Sequence, residues 1–166
     1  GELAMRGQHV VLLDADPQSI ASDWRDIAVQ RGLPAPPVQF VGHINELRPA
    51  LEKVAPGTLV FVDVPPAIGE ILTDAIKLAD LLLIPCAPEP ACRLALRKTL
   101  PLVQSVRSQR PGLRVRLLLN MLSGNSLSKK ARSTYATTAE RFNSPLLDAA
   151  LNRRTAVSEI LGLGVG

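Results

Sequence analysis

The stretch His9-Val10-Val11-Leu12-Leu13-Asp14-Ala15-Asp16-Pro17-Gln18 decides the fold class. Val10 to Leu13 is an unbroken apolar run, too short for a helix and without polar alternation. It therefore reads as a strand buried on both faces. It ends abruptly in two acids and a Pro, which mark a strand end followed by a turn. The same form returns in Thr58–Val64, in Asp80–Pro85 and in Leu113–Asn120, with shorter strands at Val38–Val41 and Pro145–Leu147. Helical spacing fills the intervals. Ser19–Gln30 sets Ile20, Trp24, Ile27 and Ala28 on one face, and Asn45–Val54, Ile68–Leu78 and Leu127–Phe142 follow. Ala91–Arg110 reads as a long helix kinked or divided at Pro101, and Thr155–Leu161 as a last helix. Apolar strands alternating with helices indicate an α/β fold: a doubly wound, mostly parallel sheet with helices on both faces.

Composition narrows the function. The chain has 166 residues, 46% of them apolar and 20% charged, which excludes disorder and a fibrous repeat. The five aromatic residues are too few for recognition by an array of stacked rings. Cys86 and Cys92 exclude a disulfide scaffold, fit a reducing compartment and lack the second pair that a zinc site needs. No apolar run approaches the roughly 20 residues of a membrane span, and no signal-peptide pattern is present. The net charge of +4 hides an asymmetry. Residues 1–90 carry 6 basic and 12 acidic side chains, and residues 91–166 carry 13 basic and 3 acidic. An acidic half suits metal and nucleotide chemistry, and a basic half suits a polyanion or a solvated helix face.

The acids fall where ligands bind in open α/β sheets, beyond the carboxyl ends of strands. Asp14 with Asp16, Asp63 and Asn120 each close a predicted strand. Carboxylates gathered at that edge suit Mg²⁺, which is held by one or two acids together with phosphate oxygens. Leu59-Val60-Phe61-Val62-Asp63 has the shape of a Walker B segment, although an acid after a strand also serves as a helix cap.

These residues resemble a known family. Val11-Leu12-Leu13-Asp14-Ala15-Asp16-Pro17-Gln18 is similar to the second nucleotide motif of ParA-type partition ATPases. Phe61-Val62-Asp63-Val64-Pro65-Pro66 is similar to their Walker B and switch segment, and Ala79–Pro85 to the strand after it. Asn152-Arg153-Arg154-Thr155-Ala156-Val157-Ser158-Glu159 resembles a late segment of the same family. The resemblance runs from Gly7 to Gly166. It implies a P-loop NTPase-like domain that hydrolyses ATP with Mg²⁺, dimerises around nucleotide, binds DNA non-specifically and answers to a ParB-like or other hydrolysis-stimulating partner protein. It also implies a cytoplasmic, nucleoid-associated location without membrane attachment. The family's Gly-rich deviant Walker A loop should precede Asp14, yet only 13 residues do, and no G-x-x-x-x-G-K-[ST] occurs in the chain. The expectation is a single ParA-type domain over 1–166, incomplete at the N-terminus and at the C-terminus, lacking the first strand and the P-loop, and inactive alone. That first strand is central in the family, and its loss would leave unpaired backbone groups on both neighbours.

By resemblance, Asp16 is the acid that positions or activates the attacking water. Asp14 lies near Mg²⁺ and the nucleotide, in a direct, supporting or structural role. Asp63 holds Mg²⁺ through water, Pro65 stiffens the switch loop beside the nucleotide, and Asn120 reads the adenine edge with its donor and acceptor. Arg141 is similar to an arginine used for non-specific DNA binding. Lys129 and Lys130 share its predicted helix, and Arg153 and Arg154 follow nearby. Two other readings compete: a degenerate, non-catalytic module that binds DNA or a partner, and a MinD-like positioning ATPase.

Overall fold

β1 (Val10–Asp14) is the middle strand of a three-stranded sheet, between β2 (Val38–Phe40) and β3 (Leu59–Asp63). Both pairings are parallel, and the register sets Asp14 opposite Asp63 on β3. The computed structural model describes residues 3, 6–66, 69–123 and 126–153. Those up to Ala75 form one compact unit and those from Ile76 onward a second. In the first unit, α1 (Ile20–Gln30) and α2 (Ile44–Glu52) connect the strands. Leu13, Ala28, Val38, Val41, Leu47 and Ala50 are buried there. On α1 the expected apolar face is narrower than its spacing implies. Ala28 is buried and Trp24 and Ile27 are half-buried, but Ile20 stands exposed at the first position. A capping box starts α2, with the Glu46 carboxylate accepting from the N–H groups of Gly42 and His43.

The second unit holds a parallel sheet in the order β4 (Leu81–Cys86), β5 (Arg114–Leu122), β6 (Leu146–Asn152). α3 (Glu70–Leu78) leads into it. α4 (Pro90–Gln109) joins β4 to β5, and α5 (Ser126–Arg141) joins β5 to β6. Alternate β5 residues Val115, Leu117 and Leu119 are buried, as the two-residue period of a strand requires. Leu117 and Leu119 pack with Leu96 and Leu100 of α4 and with Ala131, Tyr135 and Ala139 of α5, whose four-residue spacing makes one helical stripe. Tyr135 is fully buried and donates its hydroxyl to the Ala87 carbonyl at 2.6 Å.

The α/β class with parallel strands stands as expected, and the strands fall into two sheets of three rather than one. Among the described residues β3 and β4 each pair on one side only, and Leu59, Phe61, Leu81 and Leu83 on them are exposed. β6 extends to Asn152, well beyond the expected short strand. The helix expected over Thr155–Leu161 lies outside the described residues. No described helix is long and apolar enough to cross a membrane.

Pro101 does not divide α4, which runs through it for 20 residues. The ring sits on the exposed side, while Leu100 and Val103 face the core. Proline still forgoes one helical hydrogen bond there, and packing of the buried face carries the helix across the gap. Pro101→Ala should therefore stabilise the chain by about 1–2 kcal/mol in urea unfolding, the helix gain being offset in part by a freer unfolded chain. A loss of stability would show that the proline ring itself is needed for packing.

Candidate functional site

The carboxyl end of β1 feeds a tight turn, Ala15-Asp16-Pro17-Gln18-Ser19, before α1 begins. Asp16 builds this turn. Its carboxylate accepts from the Gln18 N–H at 2.9 Å and its carbonyl from the Ser19 N–H at 2.9 Å. Ser19 takes a left-handed backbone, φ 50°, and its side chain does not cap the helix. Asp14 supplies the cap from β1. One oxygen accepts from the Ser22 N–H at 2.9 Å and from the Ser22 hydroxyl at 2.8 Å, and the other accepts from the Asp16 N–H at 3.3 Å. Asp14 is 0% exposed, so these partners are what make a buried carboxylate tolerable. The first-turn N–H and the helix dipole both favour its charge.

Asp63 closes β3 beside this turn, and its carbonyl accepts from the Ala15 N–H at 2.8 Å. Its carboxyl is pushed above the usual carboxylate range, first by burial, then by the charges of Asp14 and Asp16. The Val64 N–H opposes the shift. Three carboxylates thus meet at one sheet edge, and Asp63 is the one whose charge is least compensated. A cation would relieve that repulsion, and the all-oxygen donor set matches Mg²⁺. Among the described residues no three acid, His or Cys side chains form a metal-holding group. The arrangement suits an ion that takes only one or two protein ligands and completes its shell elsewhere. Pro65 follows in the loop after β3 and is half-buried.

Asn120 belongs to the second unit, on β5. Its side-chain oxygen accepts from the Met121 N–H at 2.9 Å, and Met121 takes φ 56°. The β5–β6 register shifts at this point. A left-handed backbone at a non-glycine residue costs of order 1–3 kcal/mol and marks a place held by its surroundings. Nδ2 of Asn120 has no hydrogen-bond partner among the described residues, so its donors remain available.

Lys129, Lys130, Arg132 and Arg141 are exposed on α5, and Arg153 is exposed after β6. At 100° per residue, Lys130 and Arg141 share one flank of α5 about 16 Å apart, and Lys129 lies about 100° round the helix on the other flank, all three on the half away from the core stripe. Arg141 also lies over the Phe142 ring, 5.5 Å from its centroid. Arg154 lies outside the described residues. Other basic side chains serve the fold. Arg93 donates to the Pro88 carbonyl and Arg107 to the Asn143 carbonyl, at 3.1 and 2.7 Å, and Arg110 donates to the Lys77 carbonyl.

Sequence reasoning missed two features. Ser22 clamps Asp14 from eight positions away, and no motif spacing announces it. Cys86, Cys92 and Tyr135 meet around the Ala87 peptide. Screening the cysteines only for zinc hid that meeting.

No protein-family model matches the chain. The chain is 30% identical over 165 residues to the maintenance of carboxysome distribution protein A of Halothiobacillus neapolitanus, covering 98% of this chain and 74% of that protein. It is 36% identical over 85 residues to the protein of the same name from Gloeobacter kilaueensis, covering 50% of this chain and 38% of that one. Among solved structures, a Borrelia burgdorferi protein assigned to plasmid partition and bound to AMPPNP superposes with a TM-score of 0.71 at 13% identity, over 99% of this chain and 81% of that one. The cobyrinic acid a,c-diamide synthase of Mycobacterium smegmatis gives 0.69 at 18% identity, over 92% and 77%. The two structural likenesses establish the fold.

The geometry separates the two acids of the turn. Asp14→Asn presents an amide N–H₂ where donors already point, and should cost about 2–4 kcal/mol in urea unfolding. Asp16→Asn keeps its acceptor and should cost less than about 1 kcal/mol. Equal, small losses at both positions would show that the Asp14 clamp is not structural.

Proposed function

The chain belongs to the ParA/MinD family of ATPases, and from that membership we propose that it serves a positioning ATPase whose nucleotide-bound dimer binds DNA non-specifically. The observation that carries this reading is the identity spread over nearly the whole chain, with the paired strand-end acids Asp14 and Asp63 in register inside it. ATP with Mg²⁺ is the cofactor pair the family implies, and AMPPNP is bound in one structural neighbour. Mg²⁺ bound at this edge would screen the developing charge of phosphoryl transfer. Asp63 is the residue to hold it, through water. Asp16, on the turn, orients the attacking water. Asp14 acts by holding that turn against α1, which is the supporting role rather than direct ligation. Pro65 stiffens the loop that follows Asp63, and Asn120 offers its free N–H donors to the adenine edge.

The Walker A loop is the main source of phosphate affinity in such enzymes, and the 166 residues contain none. The 166-residue chain given ATP and Mg²⁺ should release no phosphate above background. Release above background would overturn this assignment of roles. DNA and a stimulating partner protein are the proposed macromolecular ligands. Both sequence relatives are named for carboxysome distribution, which favours a large proteinaceous cargo over a plasmid and brings the reading close to the MinD-like alternative.

Lys129, Lys130, Arg141 and Arg153 supply the DNA contact in this reading, with Arg154 next in sequence. Phosphate contacts give affinity without base reading and fall steeply with salt. Lys129→Ala, Lys130→Ala and Arg141→Ala should each weaken duplex binding at low salt, equally for unrelated sequences. Each should flatten the dependence of log K on log salt by about one. Unchanged DNA retention in the triple variant would remove α5 from the interface and favour a module that binds only protein.

A further inference from the structure

The β4–α4 connection, Cys86-Ala87-Pro88-Glu89, gathers two thiols and a phenol around one peptide group. Cys86 closes β4 and is 0% exposed. Cys92 is the third residue of α4 and is half-buried, so a small solute reaches it while Cys86 stays covered. The Ala87 N–H donates to the Cys92 sulfur at 3.2 Å. The Tyr135 hydroxyl donates to the carbonyl of the same residue at 2.6 Å. The Cys92 sulfur also lies 3.9 Å from the Pro85 carbonyl, against the backbone that leads into Cys86, and the two thiols influence each other's titration. The Cys86 S–H donates to the Ile84 carbonyl at 3.4 Å. A core cysteine needs none of these donors. The Ala87 N–H directed at the Cys92 sulfur, in the first turn of a helix, favours a thiolate there.

We propose that Cys92 is an oxidant-sensitive modification site whose co-reactant is a hydroperoxide, and that Cys86 is the resolving thiol that closes a Cys86–Cys92 disulfide across the β4–α4 connection. In the first step the Cys92 thiolate attacks one peroxide oxygen. An S–O bond forms, the O–O bond breaks, sulfur loses two electrons, and the peroxide leaves as hydroxide or alkoxide that takes a proton from water. In the second step the Cys86 sulfur attacks the Cys92 sulfenic acid. The S–S bond forms, the S–O bond breaks, and the Cys86 proton leaves with the hydroxyl as water.

The electrostatics agree with the geometry. The Cys92 thiol is held well below the ordinary thiol range, first by the Cys86 S–H bond, with the Tyr135 hydroxyl and the Ala87 N–H adding to it. Burial and the nearby Glu89 charge oppose the shift. Cys86 is pushed up by the same bond and by burial, and Tyr135 is pushed up chiefly by burial. Arg93 is the cation at this end of α4, and its guanidinium is engaged by the Pro88 carbonyl. Cys86 is the register partner of Leu119, one residue before Asn120. Oxidation would therefore fall at the end of the strands that carries the proposed adenine-reading group, a consequence that rests on that reading.

The test needs neither nucleotide nor DNA, so its outcome is independent of the ATPase proposal. The purified chain is treated with a small excess of hydrogen peroxide and analysed by peptide mass spectrometry, with and without dimedone. The expected result is an intramolecular Cys86–Cys92 disulfide in the unsubstituted chain, a dimedone adduct on Cys92 in Cys86→Ser, and neither product in Cys92→Ser. Cys86→Ala replaces Cys86→Ser if circular dichroism shows the buried hydroxyl to unfold the chain. Iodoacetamide should also alkylate Cys92 at pH 6 roughly tenfold faster than free cysteine, since a larger thiolate fraction outweighs its lower nucleophilicity. Alkylation at the free-cysteine rate, oxidation seen only in urea, or a disulfide formed only between chains would overturn the proposal.

Discussion

Everything at the first strand end depends on one buried carboxylate. Asp14 has no exposed surface, so its oxygens need the protein partners they find in Ser22 and the Asp16 N–H. That requirement ties β1 to the first turn of α1 without a conventional cap at Ser19. It also fixes the path between them, which is where Asp16 sits. A chain that must satisfy Asp14 cannot let Asp16 wander, because the Asp16 backbone is one of the donors. Asp63 then meets both acids across the strand pair, and its carboxyl is pushed up first by burial and then by their charges.

The strands were legible because both of their faces are apolar. Val10–Leu13, Leu59–Val62 and Leu81–Ile84 have no other stable use as short runs, and their acidic or polar ends located the site edge. The division into two three-stranded sheets was not legible, since pairing depends on contacts between distant segments. Pro101 misled in a simple way. Local preference predicts a break, and burial of Leu96, Leu100, Val103 and Val106 on the opposite side of α4 overrides it. For β6 the signal was hidden by composition. Asp148, Ala149 and Ala150 carry little strand preference, and pairing with β5 recruits them.

The candidate site was legible in the sequence as residue types and not as geometry. A strand-end acid looks the same whether it faces an ion or a helix terminus. The distinction between Asp14 and Asp63 comes from Ser22, which no spacing rule connects to either. The cysteines teach the complementary lesson. A separation of six residues is meaningless along a helix, but here it spans a strand end, a loop and a first helical turn, which returns the second sulfur to the first.

The charge asymmetry also changes meaning once partners are known. The basic half is not uniformly available to a polyanion. Arg93, Arg107 and Arg110 hold carbonyls at helix ends and loops, and Arg116 bonds the Val115 carbonyl. Arg110 and Arg107 thereby satisfy carbonyls at and just past the C-terminal ends of α3 and α5, and Arg93 one in the loop before α4. Lysine has no planar fork for that work, and Lys129 and Lys130 stand exposed on α5 instead. The segment thus divides between Arg93, Arg107 and Arg110, which brace the backbone, and Lys129, Lys130 and Arg141, which stand exposed on α5, so a strongly basic segment can be well packed and still present cations to solvent.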